Sequence, residues 1–403
     1  MTITLKPGKD VPILAGHPWV WSEAVADESQ VTSGKLKVEE PGQIVFVRSA
    51  DGRALGLGTY NPLTSIRVRM LTRDADETID AEYFSKRFKE LDAWKRSRLP
   101  KKTTGYRVVH AEADGIPGLI LDRYANTFVF QLHTAGMERL RAFIIEAVEH
   151  AFDAENIVER SDLDVRKIEG LNDQPIAVHK GEVTEPVAFE ETGLKFLSDA
   201  LHGQKTGFFL DQRDARLAVG RMADGRRVLN LFGYTGAFSV HAMKGGAEFV
   251  ATVDASRPAL ELAQKNFALN GFDPEDEKRC LFLDANVLDL LEEKELPGAP
   301  YDLIICDPPA FAKNQRQLPQ ALKAYTDLNA ACLRRLSPGG ILVTSSCSGR
   351  VDPDTFRSML RIAAGHAKKD VRVLAWMGQP VDHAERLAFP EGRYLKTGVL
   401  EVR

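Results

Sequence analysis

Asp307 and Cys347 are the residues whose type and placement best suit chemistry. Asp307 ends the apolar run 301–307 and is followed by Pro308 and Pro309. Two prolines fix the backbone and keep a helix from starting at once, so the carboxylate is held where the run ends. Phe311 offers an aromatic face on which a base can stack. A structural Pro-Pro turn needs neither the acid before it nor the aromatic after it. Cys347 lies just past a second apolar run, 340–346, among small hydroxyl residues and before Gly349. A structural cysteine belongs inside such a run, as Cys306 does. A thiol at its end is placed to act, as the thiolate, as a nucleophile.

Three further signals precede these two. The run 228–232 leads into a turn holding Gly233 and Gly236, and a helical pattern follows. Glycine there permits close approach of a ligand and positive φ. The spacing is not that of a GxGxxG dinucleotide turn, which counts against a Rossmann oxidoreductase. Asp254 ends the next run, about 20 residues on, where an acid can accept both hydroxyls of a ribose. Asp284 ends the run after that and is placed to receive an adenine amino group. Each signal alone also has a structural reading: a strand-to-helix turn, an N-cap that Ser256 can supply instead, a turn acid. Three on successive runs are harder to assign to structure. Upstream, Lys205, Asp211, Gln212 and Arg213 crowd around Phe208 and Phe209. That density suggests a loop closing over a ligand, against the alternative of a solvated loop with a core phenylalanine.

The elements that position these residues follow from periodicity. Strand candidates at 227–232, 249–254, 280–283, 301–307 and 340–346 alternate with helical patterns such as 257–270 and 320–336. The alternation predicts an α/β domain over 196–403, a parallel sheet with helices on both faces and its ligands beyond the carboxyl ends of the strands. Residues 1–73 read as short strands and turns, a small β-barrel in which Arg67 and Arg69 share a strand face. Residues 74–195 are mixed α+β, with helices expected at 81–99 and 138–152.

Composition narrows the class. The 403 residues carry 53 Lys and Arg against 57 Asp and Glu, a formal charge of −4, which excludes a globally basic RNA wrapper but not a local patch. Such a patch exists: residues 86–102 hold Lys86, Arg87, Lys89, Lys95, Arg96, Arg98, Lys101 and Lys102 against two acids, a run that reads either as a solvated helix face or as a phosphate-contacting surface. No apolar run is long enough to span a bilayer, and residues 1–10 lack the apolar core of a secretory signal. Four cysteines without a CxxC pair disfavour a disulfide framework and a structural zinc site. The expected compartment is a reducing cytoplasm. The histidines show no metal-ligand spacing, and no metal is assigned.

Together these residues resemble class I S-adenosylmethionine methyltransferases. Within that superfamily they are most similar to the bacterial large-subunit ribosomal RNA methyltransferase I group, which makes 5-methylcytosine in 23S rRNA. The resemblance spans essentially the whole chain. Its most specific marks are 203–213 and Asp-Pro-Pro-Ala-Phe at 307–311, with 15–22 and 54–62 similar to that group's PUA domain. It implies a Rossmann-like catalytic domain, an N-terminal RNA-binding PUA-like β-barrel and S-adenosylmethionine as cofactor. It implies cofactor contacts at Phe232, Gly233, Tyr234, Gly236 and Asp307, with Asp254 on the ribose and Asp284 near the adenine. Lys205, Phe209 and Gln212 would help to close the pocket. Cys347 and Asp307 would be catalytic, Phe311 would stack the target base, and the 86–102 run would contact RNA. Many 5-methylcytosine enzymes carry a second cysteine directly after Asp-Pro-Pro; here Ala310 stands there, so the base that removes the C5 proton is not identified. Two other functions remain open: methylation of a base nitrogen, which uses a similar acid and aromatic, and a ribosome assembly factor with a non-catalytic cofactor site. Homodimerisation through exposed strands of the small domains is also left open.

Overall fold

The computed structural model describes residues 1–26, 40–312 and 315–403. The chain forms two compact units, one of Met1–Phe189 with Ser198–Phe208 and Val381–Gly392, the other of Glu190–Leu197 with Phe209–Pro380 and Arg393–Arg403.

The first unit begins with a five-stranded sheet. Its strands are β1 (Thr2–Thr4), β2 (Trp19–Trp21), β3 (Gln43–Arg48), β4 (Ala54–Tyr60) and β5 (Ile66–Thr72), in the order β1-β3-β4-β5-β2. The period of two puts Val45, Val47 and Val68 into one core with Ile3, Leu5 and Val20. A short helix α1 (Val11–Ala15) ends on Gly16 at φ 106°, which caps it through a backbone N–H. Arg67 and Arg69 of β5 have structural partners. Arg67 Nη1 donates to the carbonyls of Pro62 and Thr64 at 2.6 Å, and Arg69 Nη2 pairs with buried Glu169 at 2.7 Å.

A second sheet of the same unit contains β6 (Gly105–His110), β7 (Leu119–Tyr124), β8 (Thr127–Leu132), β9 (Asn156–Glu159) and β10 (Ala177–Lys180), in the order β10-β9-β8-β7-β6. Helix α2 (Ala81–Arg96) starts at an Asp80 N-cap and packs on α4 (Arg141–Ala151). The single helix expected over 138–152 is two, α3 (Ala135–Arg139) and α4, broken at Leu140. Thr134 caps the first of them. A short α5 (Val165–Ile168) follows β9.

The hairpin β11 (Val187–Glu191) and β12 (Leu194–Ser198) lies where the first unit gives way to the second. The second unit is built on a seven-stranded sheet: β13 (Arg227–Leu231), β14 (Phe249–Asp254), β15 (Cys280–Asp284), β16 (Tyr301–Cys306), β17 (Leu336–Ser346), β18 (Val371–Met377) and β19 (Lys396–Val402). The order is β15-β14-β13-β16-β17-β19-β18. Its helices are α6 (Arg213–Met222), α7 (Ala237–Lys244), α8 (Arg257–Leu269), α9 (Val287–Glu292), α10 (Leu318–Arg334) and α11 (Pro353–Ala367). The first five strands in that order are parallel, as the alternation predicts, and their apolar runs form a core that includes Leu229, Val253, Ile304 and Leu342. The sheet is not parallel throughout: β19 runs antiparallel between β17 and β18. The strand ends are level. Leu231 pairs with both Val253 and Cys306, Asp254 with Asp284, and Cys306 with Thr344. The glycine turn, Asp254, Asp284, Asp307 and Cys347 therefore lie along one carboxyl edge.

Candidate active site

The turn after β13 is wound tightly by short bonds. Gly233 N donates to Val253 O and Gly236 N to Gly233 O, both at 2.8 Å. Phe232, Tyr234 and Gly236 sit at φ 59°, 46° and 74°. For the two aromatics this left-handed geometry costs roughly 1–2 kcal/mol each. It persists because the turn is held from beneath. Asn230 Nδ2 donates to Ser239 Oγ at 2.9 Å, which lies 2.7 Å from Thr252 Oγ1. Asn266 Nδ2 donates to Thr235 O at 2.8 Å. A Cβ on Gly233 would sit 2.6 Å from Thr252 Cγ2, so the glycine allows the turn to lie directly on β14.

Asp254 closes the turn from the neighbouring strand. Its Oδ2 accepts from Tyr234 N and its Oδ1 from Ser256 N, both at 2.8 Å. Each carboxylate oxygen keeps a further lone pair for a ligand hydroxyl. The N-cap of α8 is supplied by Ser256, whose hydroxyl accepts from Ala259 N, so Asp254 is not needed for that task. Asp284, one strand further, is exposed.

Asp307 sits beyond β16 and accepts from Gln212 Nε2 at 2.9 Å. Burial, reinforced by the nearby Asp211, pushes its carboxyl up to about 7, against the opposing pull of the Gln212 hydrogen bond and Arg216. Asp211 in turn accepts from Tyr394 Oη at 2.8 Å. The 209–212 segment is anchored by a buried charge cluster. Arg216 grips Glu191 with two bonds of 2.7 Å and donates Nη1 to Phe209 O at 2.8 Å. Arg213 and His241 each approach Glu191 at 3.4 Å. Burial acts to raise the Glu191 carboxyl, but Arg216, His241 and Arg213 outweigh it and hold it at about 2. Phe209 meets Tyr234 edge to face at 5.2 Å between centroids, so this segment also borders the glycine turn.

Of the four cysteines, Cys280, Cys306 and Cys332 are buried and Cys347 is not. Burial and neighbouring acids push the Cys280 thiol up to about 11. A hydrogen bond to Cys332, then burial, raises Cys306 far above its ordinary value. Neither is a thiolate at neutral pH. Cys347 has a charged neighbour instead. Lys396 of β19 is the cross-strand partner of Ser346, and its buried Nζ donates to Ser348 O at 2.6 Å and Tyr394 O at 2.7 Å. Burial lowers the Lys396 ammonium to about 8, against the attraction of Cys347 and Asp352. Phe311 is half-buried and leans on Tyr325 with centroids 4.6 Å apart, which fixes the plane of its ring.

The structure thus gathers Phe209, Gln212, the 232–236 turn, Asp254, Asp284, Asp307 and Cys347 in the second unit. Lys205 is placed differently: it belongs to the first unit, exposed, with φ 60° in a turn that Thr206 ties to Asp122 at 2.6 Å. In the 86–102 run, Lys86, Lys89, Arg96, Arg98, Lys101 and Lys102 are exposed. Arg87 is half-buried over the Tyr83 ring. Lys95 must be withdrawn from the phosphate-contacting set, because its side chain is buried and paired with Asp114. Sequence reasoning missed Glu191, Tyr394 and Lys396. Lys396 opens a strand formed only by long-range pairing, and its one sequence signal is a lone cation before an apolar run.

A cofactor with a ribose, an adenine and a sulfonium fits these residues. Asp254 and Asp284 offer carboxylate acceptors of the kind that hydroxyls and an amine require, and among the described residues the buried Gln212 Oε1 has no partner, leaving an oxygen for a cationic or N–H group.

Comparison with known proteins agrees with this geometry. The S-adenosylmethionine-dependent methyltransferase family matches residues 169–368, and a PUA-like domain family matches residues 3–73. The ribosomal RNA large subunit methyltransferase I of Shewanella denitrificans is 40% identical over 99% of both chains. The protein of the same description from Aeromonas salmonicida is 40% identical over 100% of this chain and 99% of its own. Among solved structures, a putative S-adenosylmethionine-dependent methyltransferase from Streptococcus mutans covers all of both chains at 24% identity with a TM-score of 0.81, which shows the shared fold.

Proposed function

Because the chain belongs to the ribosomal RNA large subunit methyltransferase I family, an S-adenosylmethionine-dependent group that acts on rRNA, we propose that it forms 5-methylcytosine in 23S rRNA through a covalent adduct on Cys347. The observation that carries this reading is the placement of Cys347, the one thiol of four that is not buried, on the same sheet edge as Asp307 and the glycine turn.

Cytosine C5 is a poor nucleophile until something adds at C6. The Cys347 thiolate adds there, forming an Sγ–C6 bond and giving C5 the character of an enamine carbon. Lys396 supplies a positive charge that favours the thiolate. Asp307, raised to about 7 and so retaining a protonated fraction at neutral pH, donates from that form to N3 as negative charge develops on the ring, and its other oxygen accepts from the exocyclic amine. Bound S-adenosylmethionine supplies the methyl group that C5 takes. A base then removes the C5 proton, the C5–C6 double bond re-forms and Cys347 leaves. Asp254, Asp284, the 232–236 turn, Phe209 and Gln212 hold the cofactor, and Phe311 stacks the target base once it has left its own stack.

In this reading residues 1–73 form the RNA-docking domain, 74–195 a connecting domain that widens the RNA face and 196–403 the catalytic domain, all acting in the cytoplasm. The test is methylation of undermodified 23S rRNA with labelled S-adenosylmethionine, followed by nucleoside mass analysis. A 5-methylcytosine product is expected. A base methylated on nitrogen would keep the cofactor site and reduce Cys347 to a structural role. Cofactor binding without transfer to any ribosomal RNA would favour the assembly-factor role.

A further inference from the structure

A second cluster of charge, made of residues not assigned above to the reaction, lies within the first unit. A cavity of about 270 Å³ is lined by Gly16, His17, Arg73, Arg87, Gly115 and Arg386, among others. Arg386 spans it. The point at which a Cβ would project from Gly16 is 3.5 Å from Arg73 Nη2 and 3.8 Å from Arg386 Nη2. The corresponding point at Gly115 is 3.8 Å from Arg87 Nη1 and 4.0 Å from Arg386 Nη1. Three guanidinium groups thus converge over two glycines that contribute no side chain. Guanidinium does not shed its proton, so the mutual repulsion persists at every physiological pH.

The acids nearby offset this charge only in part. Asp114 attracts Arg386 but is engaged by Lys95 and by His110 N. Glu77 stands 3.6 Å from Arg87, and the exposed Glu391 is 3.4 Å from His17. Arg73 Nη2 donates to the carbonyls of Ile13 and Leu14 at the end of α1, and Arg386 Nη1 reaches Glu112 O at 3.5 Å. Burial and Arg73 both act against the Arg386 charge and Asp114 only partly supports it, as expected where three cations converge on few acids. Planar guanidinium forks suit the oxygens of a phosphoryl group, and a cavity of this size falls just below the ~300–1,000 Å³ of drug-sized ligand sites.

We propose that this pocket binds a phosphoryl group through Arg73, Arg87 and Arg386, either a backbone phosphate of the RNA or free phosphate. The RNA source rests on the substrate reading above; the free-phosphate source does not.

The experiment uses the full chain and two variants, Arg386→Gln and Arg386→Lys. Arg73 is left intact because it caps α1. Binding to an undermodified 23S rRNA fragment is measured against salt, and thermal unfolding against inorganic phosphate at constant ionic strength. If the ligand is RNA, Arg386→Gln lowers the slope of log K against log salt by about 0.7–0.9 and leaves S-adenosylmethionine affinity unchanged. If the ligand is free phosphate, the slope is unchanged and phosphate stabilises the wild type but not the variant. Arg386→Lys keeps the slope but loses the fork, so it weakens RNA binding at every salt concentration or the response to phosphate, and that loss carries the test if the glutamine variant does not fold. Equal slopes together with equal phosphate responses in all three proteins overturn the pocket. Wild-type protein that binds no ribosomal RNA would instead fail the substrate reading, and the phosphate response would still decide the pocket.

Discussion

The side-chain amide of Gln212 donates to Oδ1 of Asp307 at 2.9 Å, so the segment before α6 sets the state of the acid beyond β16. The Asp307 carboxyl is raised to about 7, and the hydrogen bond from Gln212 works against that rise. A raised acid is held protonated by the fold. Its contribution to stability is present in full below the ordinary value of 3.8 and is lost as pH rises through about 7. If Asp307 donates to the cytosine ring as proposed, the donating form is lost over the same range. Single-turnover methyl transfer should therefore fall as pH rises through about 7. Gln212→Leu should move that limb to higher pH, and Asp307→Asn should remove it with a loss of roughly 10²–10³ in rate. A downward move of the limb in Gln212→Leu would contradict the assignment.

Cys347→Ser should abolish 5-methylcytosine while leaving S-adenosylmethionine affinity nearly unchanged, since the role proposed for the thiol is attack on the base rather than binding of the cofactor. An RNA carrying 5-fluorocytosine at the target should trap a covalent complex with the wild type, because fluorine cannot be removed as a proton from C5. The trapped complex should survive denaturing electrophoresis and be absent in Cys347→Ser. Full methylation by the serine variant would remove the covalent route.

Lys396 gives a separate handle on the same thiol. Replacing it with methionine removes the positive charge beside Cys347, so alkylation of Cys347 by iodoacetamide at pH 7 should slow by roughly tenfold. Lys396→Arg should restore part of the rate. Lys396 also donates to the carbonyls of Ser348 and Tyr394, and loss of those bonds alone would lower stability without a charge-dependent change in alkylation. Equal alkylation rates in the methionine and arginine variants would leave Lys396 a structural residue.

The parallel strands and the acids at their ends were legible in sequence because local apolar runs encode them. Asp254, Asp284 and Asp307 each directly follow such a run, and strand pairing brings them level. Cys347 was legible for the same reason. Glu191 was not, because nothing near it in sequence shows that Arg213, Arg216 and His241 close around it. Lys396 was not, because its role depends on β19 lying antiparallel beside β17, a pairing set at long range. The basic run shows the opposite failure. Composition treats its eight cations alike, whereas helical phase turns Lys95 inward and leaves Lys86 and Lys89 in water.

That difference in phase separates two kinds of variant on one stretch of chain. Replacing Lys86, Lys89, Arg96, Arg98, Lys101 and Lys102 with glutamine should barely change stability, since exposed charges contribute little. If the run touches phosphates, the same change should weaken rRNA binding and lower the salt slope by about 0.7–0.9 for each phosphate no longer neutralised. Lys95→Met should behave in the opposite way. It leaves Asp114 without its buried partner and should cost roughly 3–5 kcal/mol in a urea titration, while any folded fraction keeps the wild-type salt slope. A lowered slope in Lys95→Met without loss of stability would return Lys95 to the RNA-contacting set. An unchanged slope in the sixfold variant would leave this face merely solvated.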